Sequence, residues 1–170
     1  MMMSEELFDF YFLKALEYAK GDDLTKAIQY VSISLGLDEE NESAWRLAGL
    51  CYYALGNYTM AEQCFKYSPH YMEKAAEAIF IKRAEMAQVK QLVDKMQYKK
   101  AIRILAADND KSVLQWNYLG CLYGILRKKE KALTCFSEAL RKDSGNLKTI
   151  FYLQNVQYMK EKRWWALELL

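Results

Sequence analysis

The residues in this chain best suited to chemistry are four cysteines, Cys51, Cys64, Cys121 and Cys135, and a single histidine, His70. A structural zinc ion needs about four such ligands at clustered spacings, and no CxxC pair is present, so no metal site is expected. A disulfide framework is not expected in a helical intracellular chain. The thiols therefore read as small apolar side chains inside helices. His70 follows Pro69 and has no partner that spacing can name. It reads as a solvated or capping histidine in a turn. The chain has no GxGxxG, no GxxxxGK[ST] and no HExxH motif, and no nucleophile stands beside a base. The expectation is a protein that is not an enzyme and carries no cofactor.

The elements that hold these residues should be helical. Among 170 residues there is one proline and seven glycines, and half the side chains are apolar. Few breakers with abundant Ala, Leu, Lys and Glu favour helix. A net charge of +2 is too small to argue for nucleic acid. No apolar run is long enough to span a bilayer. The start "MMMSEELFDF" lacks the basic flank and apolar core of a secretory signal. The expected location is cytoplasmic or nuclear.

One stretch nearly recurs. "WRLAGLCYYALGNYTMAEQCF" begins at Trp45, and "WNYLGCLYGILRKKEKALTCF" begins at Trp116. In both, Trp is followed at fixed offsets by Gly (Gly49, Gly120), Tyr (Tyr52, Tyr123), Ala (Ala61, Ala132) and Cys-Phe (Cys64-Phe65, Cys135-Phe136). The same Ala position is found at Ala27, Ala101 and Ala166. This pattern resembles the tetratricopeptide repeat, a helix–turn–helix of about 34 residues. Repeat four matches furthest, with Leu119 and Ala139 added; repeat one is looser, with Tyr11, Ala15, Tyr18, Ala27 and Val31. Repeat five keeps Ile150, Leu153 and Ala166.

The resemblance implies an all-α fold, a TPR-type superhelix of antiparallel helix pairs forming one domain over 1–170. Its five repeats would lie near 8–41, 42–75, 82–112, 113–146 and 147–170, the last truncated. Repeat three departs, with Glu85 at the large apolar position and Val89 at the small one. There Ser68 and Pro69 should open one long helix of about seven turns, with a seam of Ile79, Met86, Val89, Val93 and Met96. Helices are expected near 6–20, 24–35, 42–55, 58–67, 70–96, 98–106, 113–126, 130–142, 147–160 and 163–170. Ser4, Asp23, Asn41, Asn57 and Ser112 stand where caps belong, and Gly21 and Gly56 where helices end.

Repeats of this kind bury their apolar faces only by stacking, and they act by contact. The resemblance places the first helix of each repeat on a concave face. The partner-binding groove would then hold Phe12, Leu16, Arg46, Leu50, Tyr53, Asn117, Cys121, Lys148, Phe151, Asn155 and Tyr158, with Asp9, Ser43 and Leu114 beside them and Arg83 and Lys90 added from repeat three. An extended peptide or a helix with apolar anchors would suit it. One branch of the family holds chaperone carboxylate tails in a Lys/Asn/Arg clamp. Phe12 and Leu16 stand at its first-repeat positions and cannot hold a carboxylate. Acidic runs precede the first helices, and bases crowd the turns of repeats three to five: Lys99, Lys100, Arg127, Lys128, Lys129, Lys131, Lys160, Lys162 and Arg163. Helix-dipole pairing explains that layout without a partner; the alternative is a docking strip for an acidic partner.

The first helix, "EELFDFYFLKALEYA", is apolar nearly all round. Leu7, Phe8, Phe10, Tyr11 and Phe12 exceed what one face can bury, which points to a homodimer. The apolar start, the repeat order and the irregular third repeat resemble the amino-terminal repeats of the tetratricopeptide subunits of the anaphase-promoting complex. That resemblance implies a homodimerising scaffold subunit of a cell-cycle ubiquitin ligase. The alternatives are a co-chaperone adaptor and, more remotely, a nucleic-acid-binding helical repeat.

Overall fold

The computed structural model describes residues 3–157. Among these are nine helices and no strand: α1 (Ser4–Lys20), α2 (Leu24–Leu37), α3 (Glu42–Leu55), α4 (Tyr58–Phe65), α5 (Pro69–Asp94), α6 (Tyr98–Ala107), α7 (Val113–Ile125), α8 (Lys129–Lys142) and α9 (Leu147–Gln157). The all-α expectation holds, and the boundaries fall within a few residues of those read from the sequence. The helix expected at 163–170, with Ala166, lies outside the described residues.

Most caps are those the sequence names. Asp23, Asn41 and Asn57 each accept, on a side-chain oxygen, the N–H three residues on, at 3.1, 3.1 and 3.2 Å. Ser112 and Gln115 form a reciprocal capping box, 3.3 and 2.9 Å. Ser4 is a correction. It is already helical, and Met3 holds the N-cap position, its N–H donating to the Glu6 carboxylate at 3.1 Å. The Glu6 carboxylate, at the third helical position, thus accepts the N–H of the N-cap residue.

Four turns share one construction. Asp22, Gly56, Met96 and Arg127 each take a left-handed φ, of 62, 91, 56 and 57°. The next residue then sends its N–H back five residues: Asp23 to Tyr18 at 3.0 Å, Asn57 to Tyr52 at 2.9 Å, Gln97 to Leu92 at 2.8 Å and Lys128 to Tyr123 at 2.8 Å. These bonds satisfy carbonyls orphaned at the helix ends. They also set a common register along the chain. Ala27, Ala61, Ala101 and Ala132 stand five residues after the turn residue, and all four are fully buried.

The same register exposes a trade in side-chain size. Seven residues before each turn stand Ala15, Gly49, Val89 and Gly120; nine after it stand Val31, Phe65, Leu105 and Phe136. All eight are buried. Where the first is glycine the second is phenylalanine, and where it is larger the second is smaller. A Cβ on Gly49 would lie 2.5 Å from the Phe65 ring, and one on Gly120 2.6 Å from the Phe136 ring. Interiors are packed closely enough that such a pair must share one volume.

The chain divides into two compact units, Met1–Lys82 and Arg83–Leu170, the boundary falling inside α5. In the first, α1 packs on α2, α2 on α3 and α3 on α4. Its interior includes Phe8, Ala15, Val31, Leu47, Cys51, Cys64 and Phe65. In the second, α7 receives α6, α8 and α9. Cys121, Ala132, Phe136, Tyr152 and Val156 form one cluster there, with the Phe136 and Tyr152 rings stacked 5.6 Å apart. Of the expected α5 seam, Ile79, Met86 and Val89 are buried. Met96 departs, exposed because it forms the turn.

Candidate partner-binding surface

Helix α3 has two distinct sides. Ala44, Leu47, Ala48 and Cys51 turn inward. Arg46, Leu50 and Tyr53, spaced by four and three, share the other face. Arg46 is exposed, Leu50 is 40% exposed, and Tyr53 is half-buried, edge-on to Tyr58 at 5.7 Å. On α1, which also touches α3, Phe12 and Leu16 are half-buried and Asp9 is exposed. Ser43 is exposed too.

In the second unit Arg83 and Lys90 are exposed on α5, and Lys148 and Phe151 on α9. Asn155 is half-buried and donates to the Phe151 carbonyl at 2.8 Å. Leu114 is half-buried. Two expected groove residues are corrected. Asn117 is buried and accepts the Thr149 hydroxyl proton at 3.0 Å. Cys121 belongs to the interior cluster beneath Tyr152 and Val156. Helix α9 lies across these positions of α7 and closes them off. Tyr158 lies outside the described residues.

The expected self-association residues also separate. Phe8 is a correction: it is buried within the chain, stacked on Phe12 at 5.6 Å. Leu7, Tyr11 and Phe12 are half-buried, while Phe10 is 48% exposed. Leu13, 63% exposed, joins Phe10 as uncovered apolar surface.

The basic turns come together within the second unit. Lys99, Lys100, Arg127, Lys128, Lys129 and Lys131 are all exposed. A cavity of about 400 Å³ is lined by Met96, Gln97, Tyr98, Lys99, Lys100 and Leu126, so both turns border it. Lys160, Lys162 and Arg163 lie outside the described residues. The chain's small net charge conceals a division. Residues 1–82 hold 13 acidic and 7 basic side chains, net −6; residues 83–170 hold 17 basic and 9 acidic, net +8. Counting charges by half would have found it in the sequence.

The groups with chemistry are placed against catalysis. Burial pushes the Cys64 and Cys135 thiols up to about 11, and Cys121 also well up. A thiol nucleophile needs the opposite shift. His70, unpartnered in the sequence reading, faces Glu42, its Nδ1 3.1 Å from the carboxylate. That hydrogen bond holds the Glu42 carboxyl below the usual range. The Ser68 hydroxyl donates to the same carboxylate at 3.2 Å. Glu42 thus takes both contacts, and His70 is not set as a base for Ser68. Among the described residues no group of three or more His, Cys, Asp or Glu could hold a metal ion. No helix there is long and apolar enough to cross a membrane.

Comparison with known proteins adds a family likeness. Residues 43–66, spanning most of α3 and all of α4, match the sequence profile of the tetratricopeptide repeat family. Two solved structures are similar. One is YrrB, described as a TPR protein with an unusual peptide-binding site: 21% identity, 94% of this chain and 80% of that chain covered, TM-score 0.41. The other is the Arabidopsis OM64 TPR domain: 15% identity, 92% of this chain and 98% of that chain covered, TM-score 0.36. Among curated proteins none matches. The family likeness rests on the second hairpin, and the four turns of the described residues share one backbone construction.

Proposed function

We propose that the chain is a non-catalytic protein-interaction scaffold, a single array of about five tetratricopeptide repeats. The observation that carries this reading is the outward face of α3, where Arg46 and Leu50 stand exposed beside Tyr53 on a helix whose other side is fully engaged. A cation next to apolar anchors suits an acidic-apolar peptide or helix. The exposed face of α9, Lys148 with Phe151, offers the same combination. Affinity purification with the intact chain and with Arg46→Glu/Leu50→Glu, read by cross-linking mass spectrometry, tests it. A partner cross-linked at α3 and lost with the double variant is the expected result. Partners retained unchanged by the variant would place binding elsewhere.

The finer reading is a homodimerising scaffold subunit of the anaphase-promoting complex, in the cytoplasm or nucleus. Support comes from the resemblance of the amino-terminal repeats and from Phe10 and Leu13, large apolar side chains left uncovered on α1. A two-fold dimer would cover one such patch with its copy. Sedimentation of the unmutated chain at micromolar concentration should give twice the monomer mass, and Phe10→Glu/Leu13→Glu should halve it. A monomer before mutation would remove the dimer and leave the interaction surface standing.

A further inference from the structure

The two tryptophans of the matching repeats occupy one position, the fourth residue of α3 and of α7. Each helix has its N-cap four residues before the tryptophan, Asn41 and Ser112. The residue before the cap often packs back on the fourth helical residue. In α7 that residue is Lys111. Its ammonium sits 4.7 Å from the Trp116 ring centroid, donates to the backbone carbonyls of Asp108 and Ala106, and is buried with its side chain. The second unit's tryptophan site therefore supplies its own cation.

In α3 the same position is Glu40. A carboxylate is repelled by the negative face of an aromatic ring where an ammonium is attracted. The site is built differently as a result. Trp45 stacks on Tyr67, centroids 4.5 Å apart and planes 23° apart, and its indole N–H donates to the Glu39 carbonyl at 2.7 Å. Tyr67 is 60% exposed. Glu39, Glu40, Trp45 and Tyr67 together line a cleft of about 370 Å³. Two stacked aromatics and two acidic residues favour a cation, and among the described residues no cation lines this cleft. The unit around it has a net charge of −6, which raises the local concentration of basic segments.

We propose that this cleft is a second binding site, which receives a Lys or Arg side chain from a basic segment of a partner polypeptide, as Trp116 receives Lys111 within the chain. Arg fits best, since its planar guanidinium stacks on an aromatic ring and forks to carboxylates. The site is separate from the outward face of α3 and stands whether or not that face binds a partner.

The test uses the whole ¹⁵N-labelled chain and the blocked peptide Gly-Arg-Gly-Arg-Gly, with Gly-Glu-Gly-Glu-Gly as the control probe. The Trp45 indole N–H signal, identified by its loss in Trp45→Phe, should shift saturably with the arginine peptide and not with the control. Glu40→Lys rebuilds the α7 arrangement in cis and should weaken binding about tenfold or more. Glu77→Lys makes the same change of charge at an exposed site on α5 and should leave affinity within about twofold. Tyr67→Ala should weaken binding with no change of charge. Equal losses in Glu40→Lys and Glu77→Lys would show attraction to net charge alone and overturn the proposal. So would unchanged binding in Glu40→Lys, or a shift of Trp116 in place of Trp45. A dimer that Glu40→Lys converts to monomer without peptide would also overturn it, making a second copy the donor.

Discussion

The hairpins α3/α4 and α7/α8 are built from the same residues at the same offsets, yet they meet different surroundings. Both close a glycine onto a phenylalanine ring, Gly49 on Phe65 and Gly120 on Phe136. Along α3, Ser43, Arg46 and Leu50 remain exposed. Along α7 no residue does; only Leu114, Trp116 and Tyr123 keep partial exposure. The contact within a hairpin is thus written into the repeat, while the surface left for a partner is decided by what packs outside it. Helix α9 turns Asn117 and Cys121 into interior residues, whereas their counterparts Arg46 and Leu50 stay available.

If that is right, equal substitutions should cost more in α7/α8. Phe136→Ala empties a fully enclosed site and should lose about 4 kcal/mol, against about 3 kcal/mol for Phe65→Ala. Urea denaturation measures both. A smaller loss at Phe136 would show that the surroundings of α7 collapse readily and that its burial adds no rigidity.

Overpacking probes the same contact from the other side. Gly120→Leu should destabilise by about 3 kcal/mol and Gly49→Leu by about 2 kcal/mol, since α3 has open space on one flank into which it can shift. Indistinguishable unfolding midpoints for either variant and the parent would deny the close approach.

The position and type of the helices were legible because apolar spacing and caps agree along the chain. Less was legible at the turns. Gly56 announces its left-handed conformation, but Met96 and Arg127 reach it without glycine. There the backbone bonds to Leu92 and Tyr123 fix the turn, and side-chain type gives no sign of it. Groove positions were legible only as register. Whether a register position is open depends on the next helix, which is why Asn117 and Cys121 were misplaced. Phe8 was misplaced for a related reason: a helix apolar all round does not say which side its own chain covers.

Cys64 and Cys135 offer a paired measurement in alkaline solution. Both are buried, and both thiols rise from 9.0 to about 11. The folded state holds these protons more tightly than the unfolded one. The stability they contribute is whole below pH 9 and is lost as pH rises towards 11. Each should cost about 1–2 kcal/mol over that range, and Cys64→Ala and Cys135→Ala should each remove one share. An unequal loss, seen in denaturation midpoints between pH 8 and 11, would distinguish the two hairpins where their sequences agree.

A smaller effect concerns the turns. Gly56→Ala should destabilise by about 1 kcal/mol, whereas Met96→Gly should be neutral or stabilising by less than about 1 kcal/mol. Thermal midpoints of the two variants, moving in opposite senses, would confirm that one conformation serves both turns.

The exchange of volume between two positions of each hairpin is the feature on which the repeat reading rests, and a double-mutant cycle measures it. Gly120→Ala alone should destabilise through its Cβ against the Phe136 ring, and Phe136→Leu alone through lost contact. Together they move both positions towards the side-chain sizes found at Val89 and Leu105. The double variant should be more stable than the sum of the single losses by about 1 kcal/mol or more, and the Gly49/Phe65 cycle should show the same sign. Strict additivity in both hairpins would mean that these residues do not share a volume and would contradict the common construction of the repeats.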